Sequence, residues 1–192
     1  MKLAIVDLGY GNIGSIEFAF KRLGVAPKVT AERAEIEGAD RVVLPGVGAA
    51  GYAMERIGKL GLRTTLASLT QPALGICLGM QLLFERSEEK DTQCLGIIPG
   101  NVRVLVPAKG MPVPHMGWSQ LEVDDRRIGL ENADYVYFAH GYACEDGPAT
   151  VASTHYGRRI PAVVRHANWL GAQFHPERSS DVGARFLKAF LG

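Results

Sequence analysis

Cysteine is scarce in this chain: 192 residues carry three, Cys77, Cys94 and Cys144. An odd number without metal-ligand spacing argues against a disulfide framework and a thiolate metal site, and it fits a reducing compartment such as the cytoplasm. Net charge is nearly absent, at +1. That removes the long-range attraction expected of a nucleic-acid partner or a protein held on an acidic membrane surface. No apolar run approaches the length of a membrane span. The opening Met1-Lys2-Leu3-Ala4-Ile5-Val6-Asp7 is too short and turns acidic too soon for a signal peptide, and reads as a first strand. Internal repeats and low-complexity linkers are also missing, so a single domain over residues 1–192 is expected. What remains is an ordinary globular composition, 47% apolar and 21% charged, in a chain long enough for a full core.

Glycine, by contrast, is plentiful, with 23 residues, and its placement carries information. In Gly75-Ile76-Cys77-Leu78-Gly79-Met80-Gln81 a cysteine follows an apolar strand and precedes a helical stretch, Leu78 to Phe84. Glycines two residues before and two after give the pattern of a nucleophile elbow. They are needed because chain passes close to a strained turn, where a Cβ would collide. The helix beyond points its amides and positive dipole end at the sulfur. A plain buried cysteine is the alternative, and the flanking glycines weigh against it.

A nucleophile needs a base. Far downstream stands Gln173-Phe174-His175-Pro176-Glu177. Pro176 keeps His175 out of helical geometry. In an extended segment residues i and i+2 lie on one side, so Glu177 can orient the His175 ring and stabilise its charged form. Cys77, His175 and Glu177 therefore form a candidate Cys-His-Glu triad. The chain has five histidines; the carboxylate at fixed spacing singles out this one. Attack on a carbonyl creates an oxyanion, which needs amide donors. The Leu78 N–H is the first candidate. The best candidate for the second is the loop Pro45-Gly46-Val47-Gly48, with Val47 as the donor, since Gly46 and Gly48 permit unusual peptide orientations; a plain glycine turn is the alternative. No Lys-Ser/Thr follows that loop, so it is not a phosphate-binding P-loop.

The first half alternates strand and helix. Strands are expected at Leu3–Asp7, Val25–Thr30 (weakened by Pro27), Arg41–Leu44 and Ala73–Ile76. Helices are expected at Ile13–Leu23, stopped by Gly24, and from Tyr52 to Leu69, broken near Gly61. That order implies parallel strands with right-handed crossovers and ligand sites beyond their carboxyl ends. The second half holds short strand-like stretches between turn residues, from Val102–Val106 to Trp169–Phe174, which suggests antiparallel pairing. A closing helix runs from Ser180 to Leu191, capped by Ser179 or Ser180. The class is α/β: a mostly parallel central sheet flanked by helices, with a smaller antiparallel region. His115 with Trp118 reads as a structural turn, Cys94 and Cys144 as packing residues, and the charged run Glu85–Asp91 as a solvated helix end and loop.

Together the GICLGMQ elbow, the PGVG loop and the HPE segment resemble the class I (triad-type) glutamine amidotransferases. Within that family, Asp7 with Tyr10-Gly11-Asn12 and Ser15, Val113-Pro114-His115-Met116-Gly117-Trp118, and Tyr137-Phe138-Ala139-His140 resemble the glutaminase subunits of imidazole glycerol phosphate synthases. The similarity runs from the first strand to Ser179. It implies the class I amidotransferase fold and hydrolysis of L-glutamine to glutamate and ammonia through a thioester on Cys77. His175 would be base then acid, with Glu177 as its orienter. Glutamine contacts are implied at Gln81, His140 and Gly141 and along the Gly46-to-Gly48 loop. The implied partner is a (β/α)₈-barrel cyclase subunit that receives the ammonia in a heterodimer, in histidine biosynthesis. Asn12 and Arg178 are expected to face it. No cofactor and no metal are implied, and no nucleic acid or membrane. The chain departs from the family pattern at Ala50, where a phenylalanine is usual, at Gly141, where a serine or threonine is usual, and at Arg178, where a lysine is usual. Amidotransferase subunits of anthranilate or pyridoxal phosphate synthesis, a cysteine-dependent peptidase or stress protein, and a non-catalytic binding subunit remain as alternative readings.

Overall fold

Short apolar runs separated by amphipathic stretches set the order of elements, and the computed structural model describes residues 1–192. The first half runs β1 (Leu3–Val6), α1 (Ile13–Arg22), β2 (Lys28–Thr30), α2 (Arg33–Glu37), β3 (Arg41–Leu44), α3 (Ala50–Lys59), α4 (Arg63–Ala67), β4 (Ala73–Ile76) and α5 (Leu78–Gln81). Small strands follow: β5 (Arg86–Ser87), β6 (Thr92–Gln93), β7 (Asn101–Val104), β8 (His115–Gln120), β9 (Glu122–Val123), β10 (Tyr135–His140) and β11 (Tyr142–Cys144). The chain closes with β12 (Thr150–Tyr156), β13 (Arg158–His166), β14 (Trp169–Ala172) and α6 (Ser180–Leu191). No helix is long and apolar enough to cross a membrane.

An eight-stranded sheet, β2-β1-β3-β4-β14-β13-β12-β9, is the frame. From β2 to β14 neighbours are parallel; from β14 to β9 they are antiparallel. The parallel strands β1 and β4 are buried at every position, because helices cover both faces. Alternate residues supply the two cores. Ala4, Val6, Val42 and Leu44 pack with Ile36, Ala53, Ile57 and Leu66 from α2, α3 and α4. Leu3, Ile5 and Val43 pack with Phe20 of α1, Phe186 of α6 and Phe138 of β10. Beside the frame lie a two-stranded ribbon, β10-β8, and a four-stranded sheet, β11-β7-β5-β6.

The α/β class with a mostly parallel centre stands, with several corrections. Antiparallel pairing does not form a separate region alone, since β13, β12 and β9 extend the main sheet, and β5 pairs parallel to β7. The second strand is only Lys28–Thr30. Gly24 turns with φ +81°, and Pro27 lacks the N–H a ladder needs. The helix after the elbow is one turn, Leu78–Gln81. α3 starts at Ala50, where the Glu89 carboxylate accepts the Ala50 N–H at 2.7 Å, a cap supplied from a distant segment. Ala50 is fully buried. His115 to Trp118 is a strand of the ribbon and no turn. Ser179 occupies the cap position of α6 without capping it; its hydroxyl donates to the His175 carbonyl at 2.7 Å and accepts from the Tyr137 N–H at 3.0 Å.

Candidate active site

Four segments leave the carboxyl ends of parallel strands on one edge of the sheet: 7–12, 45–48, the turn at Cys77, and 173–178. The register of β4 against β14 matters most. Ile76 pairs with Ala172, and the Cys77 N–H donates to the Ala172 carbonyl at 2.7 Å. Cys77 and His175, 98 positions apart in number, thus emerge side by side.

Cys77 has φ 53° and ψ −110°, a strained conformation for a residue with a side chain. The elbow is possible only because its neighbours are glycines. A Cβ on Gly75 would lie 2.6 Å from the Gly79 carbonyl, and one on Gly79 would overlap the Leu44 carbonyl. One on Gly46 would sit 2.5 Å from the Gly79 amide. Gly46 therefore packs the 45–48 loop against the elbow.

Around Cys77 opens a cavity of about 450 Å³. Its walls include Val47, Gly48, Leu78, Gln81, His140 and Gly141, and His175 stands beside the sulfur. Asn12 and Arg178, neither of them buried, form part of its rim. Glu177 and Gly46 do not reach it. They border a smaller cavity of about 10 Å³ behind the triad. There Glu177 Oε2 and the Tyr10 hydroxyl are buried without partners, around a space that takes about one water. The Val47 N–H makes no hydrogen bond within the chain.

Glu177 Oε1 lies 2.8 Å from His175 Nδ1, and its side chain is 2% exposed. Burial opposes charge on the His175 ring. The polar contact and charge of Cys77, together with those of Glu177, outweigh it and push the ring up to about 10. The protonated ring is the form this favours. Cys77 Sγ also meets the Ala139 carbonyl at 3.9 Å and Gln173 Nε2 at 3.8 Å. The other two thiols are inert by environment. Burial pushes Cys94 up to about 11 and Cys144 well above the usual thiol range.

His140 is held by a chain whose direction can be worked out. His140 Nδ1 faces the Tyr142 carbonyl at 2.7 Å and must donate to it. Burial lowers both His140 and His115 to about 4, so both rings are neutral. His140 Nε2 then accepts from His115 Nδ1 at 3.1 Å, and His115 Nε2 accepts from the Ser119 hydroxyl at 2.8 Å. His115 stacks between Tyr156 and Phe138.

The expected triad, Leu78, Val47, Gly48, Gln81, His140 and Gly141 are thus brought to one site. Sequence reasoning missed Glu89, Gln173 and His115. Glu89 belongs to a run that reads as solvated, yet it lines the cavity; nothing local distinguishes it from Glu88, which pairs with Arg103. Gln173 had a visible signal, an amide directly before Phe174-His175 in a segment leading into the site.

The sequence model of the family described as "Glutamine amidotransferase class-I" matches residues 4–191. The chain is 51% identical over 193 aligned positions to "Imidazole glycerol phosphate synthase subunit HisH" of Xanthomonas euvesicatoria pv. vesicatoria, covering 98% of this chain and 96% of that one. It is 46% identical to the protein of the same name from Xylella fastidiosa Temecula1, covering 99% and 96%. Among solved structures it superposes on a glutamine amidotransferase with a TM-score of 0.79 at 20% identity, over 100% of this chain and 97% of that one. A glutamine amidotransferase from Thermotoga maritima gives 0.65 at 18%, over 100% and 82%. Those two likenesses concern the fold.

Proposed function

The chain belongs to the class-I glutamine amidotransferases, and from that premise we propose that it hydrolyses L-glutamine through Cys77, His175 and Glu177, as the glutaminase subunit of an imidazole glycerol phosphate synthase in histidine biosynthesis. The observation that carries this reading is the meeting of those three residues at one sheet edge beside an open cavity. The Cys77 thiolate attacks the side-chain amide carbon, and the carbonyl electrons move to oxygen. The Leu78 and Val47 amides receive that oxyanion. The His175 imidazolium gives its proton to the amide nitrogen, the C–N bond breaks, and ammonia leaves a glutamyl thioester. Neutral His175 then takes a proton from water as its oxygen attacks the thioester carbon; the C–S bond breaks, glutamate leaves, and Cys77 returns as thiolate beside the His175 imidazolium. Glu177 keeps the ring oriented and its charged form stable. Glu89 is the partner for the substrate ammonium, with Oε2 on the Ala50 amide and Oε1 free. Gln81, His140 and Gly141 line the same cavity.

The catalytic edge is open, and a partner must cover it for ammonia to be kept from water. That partner is the (β/α)₈-barrel cyclase, in a heterodimer. Exposed Met116, Trp118 and Tyr135 on the ribbon and Arg178 on the rim are the surface for it, with Asn12 across the cavity. Residues 1–192 act as one domain, since both cores share one sheet. Three free thiols fit the cytoplasm. The test is a glutaminase assay with and without the cyclase and its nucleotide, alongside labelling by a glutamine-analogue electrophile. Label on Cys77 alone and loss of activity in folded Cys77→Ala are expected. Label on Cys94 or Cys144 overturns the assignment.

A further inference from the structure

We propose that Gln173 is a positioning residue for the nucleophile, aiming one amide N–H at the Cys77 sulfur and favouring its thiolate. The inference rests on Cys77 being the nucleophile proposed above.

Gln173 is fully buried, so each of its polar atoms needs a partner. Its orientation is forced by its neighbours. Gln81 Nε2 donates to the Tyr142 carbonyl at 2.8 Å and to Gln173 Oε1 at 2.9 Å. The Tyr142 carbonyl can only accept, and it also receives the His140 Nδ1–H. Gln81 must therefore present its NH₂ group to both carbonyls. Gln173 must then present Oε1 to Gln81, which leaves Nε2 facing Cys77 Sγ at 3.8 Å.

The chemistry of the two contacts to sulfur differs in sign. The Ala139 carbonyl, 3.9 Å away, accepts from a thiol S–H and repels a thiolate. The Gln173 N–H does the reverse, and its bond strengthens once the sulfur is charged. When the Cys77 proton passes to His175, the Ala139 bond is lost and the Gln173 bond gains. Gln173 thus aligns the sulfur and selects its reactive form. Through Gln81 it also ties the sulfur's position to one wall of the substrate cavity.

Two substitutions separate these roles. Gln173→Glu keeps an acceptor for Gln81 and, when its carboxyl is ionised, removes the donor to sulfur. Gln173→Met removes both. For Gln173→Glu, kcat should fall on the order of 10- to 100-fold, the size of a hydrogen bond to a charged group, with KM for glutamine within about twofold because the Gln81 bond remains. Iodoacetamide should alkylate its Cys77 more slowly by a similar factor. Gln173→Met should show the same loss and raise KM as well. Wild-type kcat and alkylation rate in Gln173→Met, which has no donor in any protonation state, would overturn the proposal. Should both variants fail to fold, a chain with Gln173 intact still decides: Cys77→Ala must shift the Gln173 side-chain amide proton resonance from its wild-type position, and an unmoved resonance refutes the contact. That measurement needs no glutaminase activity, so it stands apart from the fate of the functional reading.

Discussion

His175 carries the pH behaviour of the site. Its ring is raised to about 10 from 6.5, against burial, by Cys77 and Glu177. A raised histidine contributes stability that is complete below about 6.5 and lost as pH climbs through about 10. The same sign governs turnover in the proposed mechanism, where the imidazolium gives its proton to the departing amide nitrogen. The alkaline limb of kcat/KM is expected near pH 10. Glu177→Gln keeps an acceptor for Nδ1 but loses the charge, so this limb should move to lower pH. An unmoved limb in a pH–rate profile would remove Glu177 from the charge balance. Gly141 offers a second residue-scale test. A Cβ there meets only Val113 Cγ1, at 3.9 Å, so Gly141→Ser places a hydroxyl at the cavity wall without strain. One added hydrogen bond to substrate should lower KM for glutamine by about 2- to 10-fold. Steady-state kinetics showing a higher KM would mean the wall does not face the ligand.

At the scale of elements, the elbow and α3 make opposite demands on glycine. Gly79 approaches the end of β3 so closely that a methyl group would strike the Leu44 carbonyl, which is backbone and cannot swing away. Gly58, on the exposed side of α3, has nothing within 4 Å of its Cβ position. Gly79→Ala should therefore destabilise by about 3 kcal/mol or more, as overpacking does. Gly58→Ala should stabilise by about 0.5–1 kcal/mol through helix propensity. Urea denaturation checks both, and a neutral Gly79→Ala would mean that the loop after β3 yields. Pro176 to Arg178 is fastened in another way. The His175 N–H donates to the Tyr137 carbonyl at 2.9 Å, and the Ser179 hydroxyl links the His175 carbonyl to the Tyr137 N–H. The ribbon strand β10 is thus the element that holds the base in place.

At the scale of the whole molecule, the ribbon has two faces with different tasks. Val136, Phe138 and His140 point inward and are buried, while Met116, Trp118 and Tyr135 stand in solvent. Trp118 packs edge-on to Tyr137 at 6.1 Å, and the Arg178 guanidinium lies 5.8 Å from the same ring. This is an aromatic and cationic cluster at the mouth of the cavity, the composition of an interface anchor. Trp118→Ala should weaken binding to the cyclase about 30-fold or more, the cost of losing an anchor worth about 2 kcal/mol, and leave the basal glutaminase rate of the isolated chain unchanged. Titration calorimetry showing wild-type affinity would place the interface elsewhere.

The sequence alone determined the class of the fold, the elbow turn at Cys77 and the pairing of His175 with Glu177. Each of these is a local signal: apolar runs, glycines flanking Cys77, and a carboxylate two residues from His175. The Gly46-to-Gly48 loop was legible as well, because glycine marks its close approach to the elbow. Tertiary structure alone decided what depends on pairing between distant segments. The parallel register of β4 on β14 puts His175 beside Cys77. The extension of the main sheet by β13, β12 and β9 depends equally on partner choice, since alternation within a strand does not name its neighbour. Glu89, the cap of α3 and part of the cavity wall, looks like any residue in a charged run. His115 reads as part of a turn, and only the packed ribbon shows its ring fixing His140. Gln173 acquires its meaning only when Tyr142 and Gln81, from two other segments, settle which end of its amide faces the sulfur. Hydrogen-bond direction is a property of the whole network, and no window of sequence contains it.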